Sequence, residues 1–193
     1  MNRRKTKKVV TYLKMGDFNM HHFALQFFDF HVWANEQIFN RLKELPKGTY
    51  HQEVQSVFPS ISSVLSHVYL SDLGWIEVFC GESMSYALML AEQQKHQTES
   101  KDLEEMRIMF YELAERYKTF LNQEENLNKS IVIENPAGGI METNVMELLL
   151  HVVNHGTYHR GNITAMLRQM GYASVPTDYG LYLFLNTNRE INL

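Results

Sequence analysis

Apolar residues recur three and four positions apart in four long stretches of this chain, and only an α-helix gathers such positions onto one face. The first stretch runs from about His22 to Leu45, with Leu25, Phe28, Val32, Phe39 and Leu42 on its stripe and Pro46 blocking continuation. Asn35 takes a stripe position where an apolar residue is expected, and a buried amide needs partners. The second opens after Pro59 with Ser60 as N-cap and places Ile61, Val64, Leu65, Val68, Trp75, Ile76 and Phe79 on a broad face until Gly81. It contains His67. The third covers roughly Lys101 to Gln123, striped by Leu103, Met106, Phe110, Leu113, Tyr117 and Phe120. The fourth begins at Thr143 or Asn144, with Glu147 completing a capping-box-like arrangement, and stops at Gly171.

The connections carry their own signals. A polar, Gln-rich segment of about twenty residues joins the second helix to the third and reads as a linker that leaves the topology open. Ser130-Ile131-Val132-Ile133-Glu134 and Ile140-Met141-Glu142 flank Asn135-Pro136-Ala137-Gly138-Gly139, which predicts two short strands about a turn. In the tail, Pro176 and the aromatic group Tyr179, Tyr182 and Phe184 predict a loop and a short packed helix. The expected fold class is all-α: a four-helix bundle with a small β-hairpin insertion before the last long helix and a short C-terminal helix.

Composition narrows the function classes. With 193 residues, 45% of them apolar and 21% charged, the chain is expected to form one core without disulfides or a structural metal, and disordered or fibrous classes are excluded. No apolar run approaches the eighteen or more residues of a membrane span, so no membrane role is expected. Lys and Arg number 18 against 22 Asp and Glu, a net −4. Six of the basic residues, Arg3, Arg4, Lys5, Lys7, Lys8 and Lys14, fall in the first fourteen positions without an acid. The rest has 12 basic and 22 acidic residues, net −10, which repels phosphate backbones and argues against nucleic acid as a partner. Residues 1–19 read as a basic, disordered extension without the apolar core of a secretory signal, and residues 20–193 as a single domain. Nucleic-acid binding through that arm alone would be salt-sensitive and lost on its deletion. Cys80 is the only cysteine, which suits a reducing, cytoplasmic location, and it reads as a buried structural thiol.

Nine histidines are unevenly distributed, and His151, His155 and His159 stand four apart on the fourth helix. A four-residue step turns only about 40°, so consecutive members stack on nearly one face. Such a pair brings two imidazoles to one ion, as in the zinc-protease His-Glu-x-x-His helix, here without its general-base Glu. Bundle sites draw ligands from facing helices, and His67 is the other histidine in the middle of a core-forming helix. Three neutral imidazoles leave coordination positions open, as in reactive sites, whereas structural zinc is usually closed by four ligands. The competing reading makes His67 a hydrogen-bonded core residue and the column a polar stripe. His151, about 80° from His159, is expected in an outer hydrogen-bonding position or in solvent. His21, His22, His31, His51 and His96 receive no role.

The segment His151-Val-Val-Asn-His155-Gly-Thr-Tyr-His159-Arg160-Gly161-Asn162, with His67 and Trp75 on the second helix and Trp33-Ala34-Asn35 on the first, resembles the DinB-like (DinB/YfiT) family of DNA-damage-inducible proteins. The similarity in order and spacing covers about residues 20 to 170. The resemblance implies a four-helix bundle holding a divalent metal on His67, His155 and His159. Three imidazoles plus water suit zinc or nickel first, with iron, manganese or copper as alternatives. The family's usual His-Arg-Gly-Gln continuation ends here in Asn162, a shorter amide. The wider superfamily resembles thiol S-transferases and isomerases that use bacillithiol or mycothiol, and metal-dependent hydrolases. The expected partner is therefore a small-molecule substrate, with a low-molecular-weight thiol such as bacillithiol as cosubstrate. A non-catalytic metal- or ligand-binding stress-response protein is the alternative. Arg160 is weighed as a carboxylate-binding group or a surface ion-pair partner. Asp72, Tyr158 and Asn35 are candidate acid–base groups, and the tail aromatics are candidates for homodimer formation.

Overall fold

The helix ends are written in local chemistry, and the computed structural model, which describes the backbone of residues 3–190 and the side chains of residues 20–186, places them accordingly. Helix α1 spans Arg3–Lys43 and ends before Pro46. It begins well ahead of His22, and the side chains of the expected basic extension over residues 1–19 lie outside the described residues. Helix α2, Ile61–Phe79, starts where Ser60 accepts a hydrogen bond from the Ser63 amide at 3.1 Å. It stops at Gly81, whose φ of 101° is a left-handed conformation that glycine adopts without strain.

The Gln-rich segment is a correction: it folds as a helix, α3, Met84–Glu99, capped by Ser83. Only Ala87 and Thr98 are buried along it, while Leu88 and Met89 face outward, so it has no apolar stripe to read. Its Ala, Leu, Met, Glu and Gln residues favour helix through low side-chain entropy loss, a signal separate from periodicity. Helix α4, Leu103–Gln123, opens with a full capping box between Asp102 and Glu105. Strands β1, Ser130–Glu134, and β2, Ile140–Asn144, pair antiparallel with Val132 opposite Glu142. Helix α5, Val145–Gln169, begins where Asn144 accepts from the Glu147 amide; Glu147 itself accepts from Thr143 Oγ1, so the reciprocal half of the expected box is not made. Helix α6, Tyr179–Glu190, is the short tail helix.

Helices α1, α2, α4 and α5 form the bundle, with α1 and α2 each flanked by α4 and α5, and thus diagonal to each other. Helix α3 lies on the outside of α2, and α6 on α1, where Tyr179 and Tyr182 pack against Phe30. The apolar core comes in two main blocks. One gathers Phe28, Ile76, Tyr117 and Leu149; the other gathers Phe39, Leu65, Met106 and Ile163. Between them, on α1, α2 and α5, lies a polar layer containing His31, Asn35, Asp72 and Arg160, all buried. Among the described residues no helix is long and apolar enough to cross a membrane.

Candidate metal centre

Helices α2 and α5 are neighbours, and their facing sides bring His67, His155 and His159 together. Nε2 of His155 lies 3.2 Å from Nε2 of His67 and 3.1 Å from Nε2 of His159. One ligating nitrogen from each of the three falls within 4.8 Å of the others. Two nitrogens bound to one tetrahedral zinc at about 2.0–2.1 Å stand about 3.3 Å apart, so the observed spacings match a ligand set. The group runs from exposed His67 through half-buried His155 to buried His159, an orientation that leaves one side open to solvent.

Electrostatics favour the same use. Burial, followed by the neighbouring imidazoles His159 and His67, lowers the pKa of His155 from 6.5 to about 3. Burial and His67 lower His159 to about 4, and burial lowers His67 as well. All three rings are thus neutral at pH 7, the form that offers a lone pair to a metal. Three converging Nε2 atoms cannot satisfy one another fully, because each neutral ring has a single N–H to give. Nδ1 of His155 is buried without a hydrogen-bond partner among the described residues. The side-chain amide of Asn162 lies 3.2 Å from Nδ1 of His159, so the shorter amide still reaches the ring from behind. Phe58 closes one flank, its ring 5.2 Å from that of His67 and 5.4 Å from that of His159.

A sequence profile of the DinB family matches residues 15–190. The chain belongs to the DinB family. Protein DinB of Bacillus subtilis (strain 168) is 70% identical to it over 171 residues, a match that spans 89% of this chain and 99% of that protein.

Other residues singled out in this DinB-family chain fall differently. His151 is exposed and packs against Trp75 at 4.9 Å, one turn away from the cluster. Tyr158 is exposed with its ring edge-on to His159 at 5.0 Å, beside the open side. Arg160 is neither a surface group nor a ligand for an incoming carboxylate. It is 2% exposed, donating through Nη1 to Asn35 Oδ1 at 2.8 Å and through Nη2 to Thr157 Oγ1 at 2.7 Å. Its azimuth on α5 turns it inward, away from the histidine face. Asp72 likewise points into the bundle, where its Oδ2 accepts from His31 Nε2 at 3.0 Å. That bond crosses the diagonal between α1 and α2.

His31, for which no role was expected, is therefore the hub of the polar layer. The Asn35 amide nitrogen is 3.1 Å from its Nε2, and Arg160 Nη1 is 3.5 Å from its Nδ1. The demand of the buried Asn35 oxygen for a partner is met by Arg160, and the i, i+4 pair His31–Asn35 was the available signal. Gly156 supplies the space: a Cβ there would strike the His31 ring and stand 2.9 Å from Arg160 Nη1. Cys80 is a second correction. It is exposed at the end of α2, and burial of part of its surface together with Glu77 raises its pKa, so it is neither a core thiol nor an activated one.

Proposed function

We propose that this DinB-family protein binds one divalent metal ion, zinc or nickel first, on His67, His155 and His159, and that it is a metalloenzyme activating a low-molecular-weight thiol for transfer to an electrophile. The observation that supports it is the convergence of three neutral imidazoles, with His155 Nε2 at 3.2 Å from that of His67 and 3.1 Å from that of His159 and one flank open. A metal bound by three imidazoles lowers the pKa of a further bound water or thiol toward neutrality. The chain's own residues do the rest. Asn162 fixes the His159 ring, Phe58 keeps water from one side, and the exposed Tyr158 ring stands edge-on against His159. With water in place of thiol, the same site performs hydrolysis.

A second reading, a non-catalytic metal- or ligand-binding protein, is favoured by one observation: the histidine group contains no carboxylate to serve as base. Elemental analysis of the untagged protein tests the common part. Near-stoichiometric metal that disappears in His67→Ala and in the His155→Ala, His159→Ala double variant, with helical circular dichroism kept, is the expected result. A parent that stays metal-free after incubation with zinc, nickel, iron(II), manganese and copper overturns it. Thiol transfer by the loaded parent, absent in the variants, then separates enzyme from binder.

A further inference from the structure

The outer face of α2 offers a space that the histidines do not use. A groove of about 640 Å³ lies between α2 and α3, within the roughly 300–1,000 Å³ of small-molecule sites. One end is formed by His67 and Phe58, the same two rings that border the three-histidine group. From there the walls are mainly apolar: Leu70, Trp75, Met84 and Leu88 line them beside Ser63, Ser66 and Ser71, and Leu88 is 54% exposed. At the rim Glu92 and Glu99 outnumber Lys95, a balance that disfavours an anionic occupant.

The floor shows why the space exists. Gly74 sits in the interior of α2, where glycine is less favourable than alanine because it loses more backbone freedom on folding. A Cβ at Gly74 would meet the Ala87 Cβ at 3.5 Å, an ordinary contact, so helix packing does not demand glycine here. Ala91, one turn beyond Ala87 on α3, is equally small and also lines the groove. Larger side chains at these two positions would fill the groove.

We propose that the α2–α3 groove seats the uncharged alkyl or aryl body of the small molecule whose polar head reaches His67, and that Gly74 and Ala91 set its size. For the head group this rests on the metal reading above; the groove's affinity for an apolar body does not.

The test uses straight-chain thiols from ethanethiol to hexanethiol. The protein carries Trp33→Phe, so that Trp75 in the groove wall is the single indole, and is studied both metal-free and loaded with cobalt(II). The expected result is a saturable change in Trp75 emission in both states, with affinity rising by up to about fourfold per methylene. Ala91→Phe flattens that dependence. Gly74→Ala raises Tm by about 1–4 °C yet weakens the longer thiols, a pairing that a merely structural glycine would not give. Emission that ignores chain length, or chain-length dependence unchanged in both variants, overturns the proposal. Failure of cobalt to bind, with the chain-length series intact, sinks the metal reading and leaves the groove standing. Cobalt absorption bands with a flat series do the opposite.

Discussion

Two histidine clusters sit on the same bundle and differ in one respect, the supply of donors. Around His31, acceptors and donors alternate: Asp72 accepts from the ring, and Arg160 donates to Asn35. Around His155, three imidazole Nε2 atoms converge, each ring having a single N–H to give, with one flank open to solvent. The first arrangement makes its bonds inside the core, although Asp72 Oδ1 and Arg160 Nε find no partner among the described residues; the second leaves lone pairs for something from outside. The lesson is that a histidine's role follows from the polarity of what faces it, and burial alone does not assign it.

The sharpest way to break the contrast is to remove a member from each cluster. His155→Ala is expected to abolish metal retention altogether while the fold persists, measured by elemental analysis and circular dichroism. Asp72→Ala should do the reverse. It strands Arg160 and His31 in the core at a cost of about 3–5 kcal/mol, read by urea unfolding, while the folded fraction still takes up metal. Full metal loss in Asp72→Ala at a urea midpoint near the parent's would show that the clusters are one unit.

Smaller effects sharpen it. Gly156→Ala is a mid-helix change that propensity favours by up to about 1 kcal/mol, yet overpacking against His31 and Arg160 should destabilise by about 1–3 kcal/mol net. A variant more stable than the parent would mean that the His31 ring can move aside. Asn162→Ala should leave stability near the parent's and weaken metal binding about 10–100-fold in competition with a chromophoric chelator. An unchanged affinity would remove Asn162 from the site.

A further contrast lies in pH dependence. The folded pKa values of His155 and His159, about 3 and about 4, lie below the ordinary 6.5. The unfolded chain therefore takes up protons first as pH falls. These rings contribute full stability above about pH 6.5, and lose it progressively toward pH 3–4. Metal-free parent should accordingly lose more Tm between pH 7 and 4 than the metal-free His155→Ala, His159→Ala variant. Parallel profiles would contradict the low pKa values.

Much of this was legible in the chain. Ser60, Gly81, Asn144 and Gly171 mark helix ends through hydrogen-bonding and φ requirements that are local, and the structure keeps all four. The hairpin was likewise local. The i, i+4 spacing of His155 and His159 fixed their shared face, and the position of His67 within an apolar helix supplied the third ring. Other features were set by what lies across the bundle. Azimuth shows that Arg160 leaves the histidine face, but only the approach of α1 shows that Asn35 and His31 receive it. Helix α3 escaped notice because it packs by small residues on one neighbour and has no stripe. Cys80 was misjudged because its neighbours Val78 and Phe79 are buried in the core while Cys80 itself is the C-cap, one residue past the end of α2 and exposed.

The polar layer between the two apolar blocks has a mechanical consequence. Apolar side chains tolerate sliding past one another, whereas the bonds from α5 to Asn35 and from α1 to Asp72 join particular atoms at one height. A slip of α5 by one turn, about 5.4 Å, would carry Arg160 past Asn35 and His155 past His67 in the same stroke. The buried bonds thus act as a vernier: they set the axial register of the helices, and with it the gauge at which the three imidazoles meet.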